Sequence, residues 1–178
     1  GIKYPYLELL EVEGIQNLLI SRSNYFQKLK TLHLYNCNSE MPINIVNMLT
    51  LHNITLERSN ISELTIQLLN IKNIVIDFFF NLQTLRLIKC YEVNTVTLVN
   101  LELDTELKII FQDTAVRRLE IIDSTLPSNM DLGGIDLGCI KQVVIRNSII
   151  HANLIKFLET IVDKERQSII LIDCNIPN

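Results

Sequence analysis

Apolar residues recur along the chain in a fixed local pattern, of which Leu29-x-x-Leu32-x-Leu34-x-x-Cys37 is the clearest copy. Copies follow at steps of 20 to 26 residues, and their middle apolar residues are Leu10, Leu32, Ile54, Ile74, Val96, Leu119, Val143 and Ile169. Apolar residues at i and i+2 are typical of a β-strand with one buried face. This first series therefore predicts a repeat protein whose successive coils stack on each other.

A second apolar series lies between the copies of the first. It starts at Ile43, Leu64, Leu85 and Leu107, at steps of 21, 21 and 22 residues, and each start is followed two positions later by another apolar residue. Each coil should therefore carry two short strands on opposite sides. We predict a single solenoid domain over 1–178 with about eight coils, and we expect a fragment or processed chain without clear caps.

One segment near the C-terminus has helical periodicity instead. Leu154, Phe157, Leu158, Ile161 and Val162 recur at the spacing of an amphipathic helix, which predicts a helix over about 152–166. This segment falls between the first-series copies at 143 and 169, where the coils lengthen. The glycines within 127–138 predict a loop on the same side of the solenoid.

The pattern L-x-x-L-x-L-x-x-(Cys/Asn) resembles the leucine-rich repeat family, and the resemblance covers roughly residues 7–176. Six residues fall where that family has Asn or Cys: Cys37, Cys90, Cys174, Ser59, Ser124 and Ser148. The resemblance implies that these side chains point inward and cap backbone groups at the turns. It also implies an α/β solenoid, mostly β, with a parallel concave sheet formed by the first series, short convex strands and one late helix.

Residues between the buried positions of the first series should face out of the concave sheet. We expect seven of them to contact a partner: His33, Tyr35, Glu57, Asp77, Arg118, Glu120 and Arg146. Aromatic and arginine side chains are frequent anchors at protein interfaces. Toward the C-terminus the same face becomes apolar, at Val99, Ile122, Val144, Ile170 and Ile172. An exposed apolar stripe indicates that either a partner or further sequence covers it.

Composition narrows the possible functions of the 178-residue chain. Hydrophobic residues make up 48% and the mean hydropathy is +0.24, which excludes disorder for most of the sequence. The apolar runs are too short for a membrane span. A net charge of −4 and a pI near 5.4 argue against nucleic-acid binding. Asn is abundant, and we give the individual Asn residues no functional weight.

Candidate chemistry is sparse. The three histidines lie on separate coils without metal-ligand spacing, so we expect no metal, no cofactor and no enzymatic activity. His33 and Glu57 could pair, and a hydrogen-bonded surface pair is favoured over an acid–base pair. We interpret Arg117 and Arg118 as a solvated pair on a strand and not as a phosphate site. The main enzymatic alternative is a parallel β-helix that binds or cleaves polysaccharides.

The four cysteines, Cys37, Cys90, Cys139 and Cys174, form no C-x-x-C pair. Three of them fall at buried repeat positions, which favours free thiols and an intracellular protein. Sequons at Asn53 and Asn60 keep secretion open. The sequence predicts a scaffold that binds another protein through its concave face. A structural subunit that associates through its terminal sheet edges is the alternative.

Overall fold

The structure is a computed structural model, and it describes residues 3–14, 20–21, 26–67, 70–78, 81–101, 107–126, 140–163 and 166–177. These residues form a parallel β-solenoid with one helix. The elements in chain order are β1 (Leu9–Glu13), β2 (Ile20–Ser21), β3 (Thr31–Tyr35), β4 (Asn38–Ser39), β5 (Ile43–Val46), β6 (Asn53–Glu57), β7 (Asn60–Ile61), β8 (Glu63–Gln67), β9 (Asn73–Asp77), β10 (Thr84–Ile88), β11 (Val93–Val99), β12 (Lys108–Gln112), β13 (Val116–Ile122), β14 (Ile140–Arg146), α1 (Ala152–Ile161) and β15 (Ser168–Ile172).

The first apolar series forms an eight-stranded parallel sheet in the order β1-β3-β6-β9-β11-β13-β14-β15. Its middle apolar residues pair in the predicted register from Leu10 opposite Leu32 to Val143 opposite Ile169. Leu32 and Leu34 of β3 are fully buried, and the alternating residues Thr31, His33 and Tyr35 are half-buried. Alternation of apolar and polar residues therefore predicted this sheet and its core-facing side correctly.

The second apolar series forms four strands of a five-stranded parallel sheet in the order β12-β10-β8-β5-β2. The fifth strand, β2 (Ile20–Ser21), was not part of the predicted series. Ile43 pairs with Leu64, and Leu64 pairs with Leu85, as the series predicts. In the next strand, however, Leu85 pairs with Ile109 and not with Leu107. A shift of two residues leaves the same face buried, so the apolar pattern does not distinguish the two registers.

The prediction of about eight coils is wrong, because the chain makes about six turns. The eight strands of the larger sheet are separated by only seven intervals of chain, each of which runs from one strand to the next. Five of these intervals return through a strand of the smaller sheet and one returns through α1. The remaining interval includes the predicted loop at 127–138, which lies outside the described residues.

The late helix is confirmed, but it ends earlier than predicted. Residues 152–161 are helical, and Val162 is already extended, with φ −82° and ψ 123°. Leu154 and Leu158 are buried, as the amphipathic pattern indicates. The chain must leave the helix axis to enter β15 at Ser168, and the side chain of Gln167 accepts a hydrogen bond from the Asp163 backbone N–H at 2.8 Å in this segment.

Small polar side chains cap backbone groups inside the corner between the sheets. The hydroxyl of Ser59 accepts a hydrogen bond from the Cys37 N–H at 3.1 Å and donates one to the carbonyl of Glu57 at 3.0 Å. Ser124 and Ser148 make the same pair of contacts in later coils. The expected capping role is therefore confirmed for these three serines. Thr114, which the sequence analysis missed, does the same at the far end of β12.

Each described cysteine lies two residues after the end of a strand: Cys37 follows β3, Cys90 follows β10 and Cys174 follows β15. Cys37 and Cys90 are buried, Cys174 is half-buried, and all three carry free thiols. The sulfur of Cys37 lies 3.5 Å from the carbonyl oxygen of Tyr35. Cys139 lies outside the described residues.

Candidate binding face

The eight-stranded sheet presents one face to the core and one away from it, and we call the second the outward face. Its strands are paired in register, so its side chains form three rows that run across the sheet. The amino-end row is Leu9, Thr31, Asn53, Asn73, Thr95, Arg118, Gln142 and Ser168. The middle row is Glu11, His33, Thr55, Val75, Thr97, Glu120, Val144 and Ile170. The carboxyl-end row is Glu13, Tyr35, Glu57, Asp77, Val99, Ile122, Arg146 and Ile172.

All seven predicted contact residues lie on the outward face, and strand pairing brings several of them together. Neighbouring strands in a sheet lie about 4.8 Å apart, so residues that share a row are close neighbours. Tyr35, Glu57 and Asp77 are consecutive in the carboxyl-end row. Whether this face is concave stays a prediction.

His33 lies between two carboxylates. Its Nδ1 atom is 3.5 Å from Oε1 of Glu11, and its Nε2 atom is 3.4 Å from Oε2 of Glu57. The Nε2 atom is buried and has no hydrogen-bond partner among the described residues, so the predicted His33–Glu57 pair forms without a hydrogen bond. Sequence reasoning missed Glu11, although it occupies the same position in its copy of the repeat as His33 does in the next.

Tyr35 anchors a small cluster at the end of β3. Its hydroxyl accepts a hydrogen bond from Nη1 of Arg58 at 3.0 Å, and the guanidinium lies 5.7 Å from the centre of its ring. The ring of His33 meets the ring of Tyr35 edge-on, with the centroids 6.5 Å apart. Asp77, on the same row, accepts a hydrogen bond from Asn100 at 2.9 Å. These contacts orient the side chains of Tyr35 and Asp77 at the carboxyl-end row of the outward face.

The C-terminal half of the outward face combines arginine with apolar side chains. Arg146 lies 3.5 Å from Glu120, whose side chain is only 15% exposed. Nε of Arg118 donates to the side-chain oxygen of Gln142 at 2.8 Å. Ile170 and Ile172 are exposed, and Val99 and Ile122 are half-buried, as the predicted apolar stripe requires.

Val144 departs from that stripe. It faces outward but is fully buried, so the prediction that it is exposed is wrong. Val144 pairs with Glu120, while Arg146 pairs with Ile122. The ion pair between Arg146 and Glu120 therefore runs diagonally across the two strands beside Val144.

Within the described part of the chain, no group of three or more His, Cys, Asp or Glu side chains is arranged to hold a metal ion. Over the same ranges, no helix has the length and hydropathy that a membrane span requires. No protein-family model, curated protein or solved structure matches the chain significantly. The sheet topology establishes a parallel solenoid. Membership of the leucine-rich repeat family stays a prediction, because no match supports it.

Proposed function

We propose that this chain is a scaffold that binds another protein through the outward face of its eight-stranded sheet. The observation that supports the proposal is the arrangement of that face in rows, because one partner can contact side chains from many coils at once. Tyr35, packed against Arg58, supplies an aromatic anchor of the kind that interfaces use.

The charges on the face suggest the chemistry of the partner. Glu11, Glu13, Glu57 and Asp77 make its N-terminal half acidic, while Ile122, Ile170 and Ile172 place apolar side chains beside Arg118 and Arg146 in its C-terminal half. A partner that presents basic side chains to the first half and apolar side chains to the second would match both. We therefore expect its binding to weaken as the salt concentration rises.

The experiment places a photo-activatable amino acid at Thr55, in the middle row of the outward face. Thr65 is its matched control, because it is a half-buried threonine at the centre of β8, in the smaller sheet. A single protein cross-linked in native lysate from position 55 but not from position 65 supports the proposal. Equal capture from both positions, or capture from neither, contradicts it.

Charge-neutral variants then test the acidic half. Glu57→Gln combined with Asp77→Asn should weaken binding of the captured partner about tenfold or more, as expected when charge pairs that the interface buries are lost. Glu63→Gln is the control, since Glu63 belongs to the smaller sheet and lies 4.0 Å from Arg86. If both variants bind equally well, the acidic half of the outward face is not the contact surface.

The alternative of a structural subunit also has an observation in its favour. Leu171 faces the core side of β15, yet it is 38% exposed, whereas the equivalent Leu56 is completely buried. β15 has one paired neighbour, β14, among the described strands. A second chain that continued the sheet at β15 would cover Leu171, and sedimentation at increasing protein concentration tests for such association.

A further inference from the structure

A line of basic residues borders the outward face at the start of its strands. The residues that precede the amino-end row stack from coil to coil, because the N–H of His52 donates to the carbonyl of Lys30 and that of Lys72 donates to the carbonyl of His52. We call this line the basic edge: it consists of Lys30, His52, Lys72, Arg117 and Lys141, with the neutral Asn94 between Lys72 and Arg117. Neighbouring strands of a sheet lie about 4.8 Å apart, so the backbone positions of successive members are close together.

The charges of the basic edge are balanced in its first coils but not in its last. Lys30 lies 3.1 Å from Glu8, and Lys72 lies 3.5 Å from Glu92. Among the described residues, no carboxylate lies within 4.0 Å of Arg117, Arg118 or Lys141. Three positive charges therefore stand together in a chain whose net charge is −4.

These three cations surround an open pocket of about 640 Å³. Its lining also contains four neutral polar side chains, Asn94, Thr95, Gln142 and Ser168. A pocket of this volume accommodates a small organic ligand. Every lining side chain among the described residues is polar or cationic, so this part of the chain gives the pocket hydrogen-bond donors and positive charge and no acid that would repel an anion.

Hydrogen bonds hold the guanidinium of Arg118 in place. Its Nε–H donates to Oε1 of Gln142 at 2.8 Å, and Nε2 of Gln142 donates to the hydroxyl of Ser168 at 3.2 Å. A guanidinium has five N–H donors, so the four on its terminal nitrogens are available for a ligand. A planar pair of such donors matches two oxygens of a phosphate or sulfate group.

We propose that this pocket binds a phosphate or sulfate group, with Arg118 as its fixed donor and with Arg117 and Lys141 as its neighbouring charges. The interpretation of Arg117 and Arg118 as a merely solvated pair changes because the fold adds Lys141. That residue is distant in the chain but lies on the next strand, where Val116 pairs with Ile140 and Arg118 with Gln142. The volume of the pocket favours an ester on a larger ligand over the free ion.

The test is calorimetric titration of the full chain at low ionic strength with inorganic phosphate, inorganic sulfate, ribose 5-phosphate and ribose. Phosphate, sulfate and ribose 5-phosphate should bind, and ribose should not. Tighter binding of ribose 5-phosphate than of inorganic phosphate would identify an ester as the ligand, whereas equal binding would identify the free anion. Absence of binding by all three anions overturns the proposal.

Variants separate this site from general attraction of anions. Arg118→Gln should weaken phosphate binding about tenfold, as expected for the loss of charge-assisted hydrogen bonds. Lys141→Gln, an exposed position, provides a second variant should Arg118→Gln not fold. Arg86→Gln is the control, because Arg86 lies on the smaller sheet and is 43% exposed. Equal effects of the Arg86 and Arg118 variants, or no effect of either, overturn the assignment.

A variant of opposite sign completes the test. Glu92 lines the adjacent pocket together with Arg117 and Lys141. Its negative charge opposes an anion there, so Glu92→Gln should tighten phosphate binding by about two- to threefold at low salt, and high salt should remove the difference. If Glu92→Gln weakens binding, the anion does not lie beside Arg117 and Lys141.

Discussion

Each strand of the eight-stranded sheet is followed by one residue with a left-handed backbone. Seven of these residues have φ between 47° and 56°, and the eighth is Gly14 at φ 70°. Five of the seven are Asn or Asp: Asn36, Asn100, Asp123, Asn147 and Asp173. Asn and Asp adopt this conformation at lower cost than other side chains. Part of the Asn content, to which the sequence analysis gave no role, therefore has a structural one.

Asn147 provides a test of that role. Its backbone N–H donates to the carbonyl of Ile172 at 2.9 Å, which joins the last two coils. Asn147→Val should lower the free energy of unfolding by about 1–2 kcal/mol, because a β-branched residue is strained at positive φ. Urea denaturation measures the change. Asn147→Gly removes the same side chain without the strain, so its free energy of unfolding should stay within about 0.5 kcal/mol of that of the parent. If both variants lose much stability, the loss comes from the missing Asn side chain and not from backbone strain.

The serine caps give a second prediction for a single residue. Ser59 is fully buried and accepts a hydrogen bond from the Cys37 N–H. Ser59→Ala leaves that buried donor without a partner, so the free energy of unfolding should fall by about 1–3 kcal/mol. Ser168→Ala, at an exposed serine, should cost less than about 0.5 kcal/mol. Equal losses in chemical denaturation would show that the cap has no special weight.

Among the elements, the strands of the eight-stranded sheet and four of the five in the smaller sheet were predictable because their apolar residues alternate over several coils; the two-residue strand β2 is too short to show such a pattern. The sequence could not fix the register of β12, since Ile109 and Phe111 are as apolar as Leu107 and the three residues face the same side. Val144 was assigned correctly to the outward face, but alternation predicts neither its burial nor the ion pair between Glu120 and Arg146 on the two neighbouring strands beside it. Such contacts across strands, like the pocket at Arg118, follow from register and not from local pattern.

The helix α1 begins without a side-chain cap. His151 precedes it in an extended conformation and makes no capping hydrogen bond, and the first turn contains no acidic residue. His151→Asp should raise the free energy of unfolding by about 0.5–1 kcal/mol, because aspartate accepts a hydrogen bond from the first turn and its charge favours the helix N-terminus. Thermal unfolding followed by circular dichroism measures the gain.

Two further substitutions divide that gain into its causes. His151→Asn supplies the hydrogen-bond acceptor without the charge, so it should give part of the increase. His151→Ala supplies neither and should give none. If the alanine and aspartate variants have the same stability, the start of α1 does not limit the stability of the last coil.

At the scale of the whole molecule, stability should be uneven along the solenoid axis. Each coil of a repeat protein contacts only its neighbours, so an uncovered coil has fewer stabilising contacts than an internal one. Leu32, Leu56 and Leu98 are completely buried in the middle of the sheet. In β15, Ile170, Leu171 and Ile172 are all 36–38% exposed, so both faces of the strand meet solvent.

This uncovered strand predicts association between copies of the chain. Among the described strands β15 pairs only with β14. An exposed apolar strand of this kind is a template for pairing with another chain, so the sedimentation coefficient should rise with protein concentration. Ile172→Lys should abolish the rise, because a charge on the edge opposes pairing. Leu49→Lys is the control, since Leu49 is 50% exposed but lies far from β15 in sequence and outside both sheets. A concentration-independent monomer would contradict association through β15, and equal suppression by both variants would indicate non-specific hydrophobic contact.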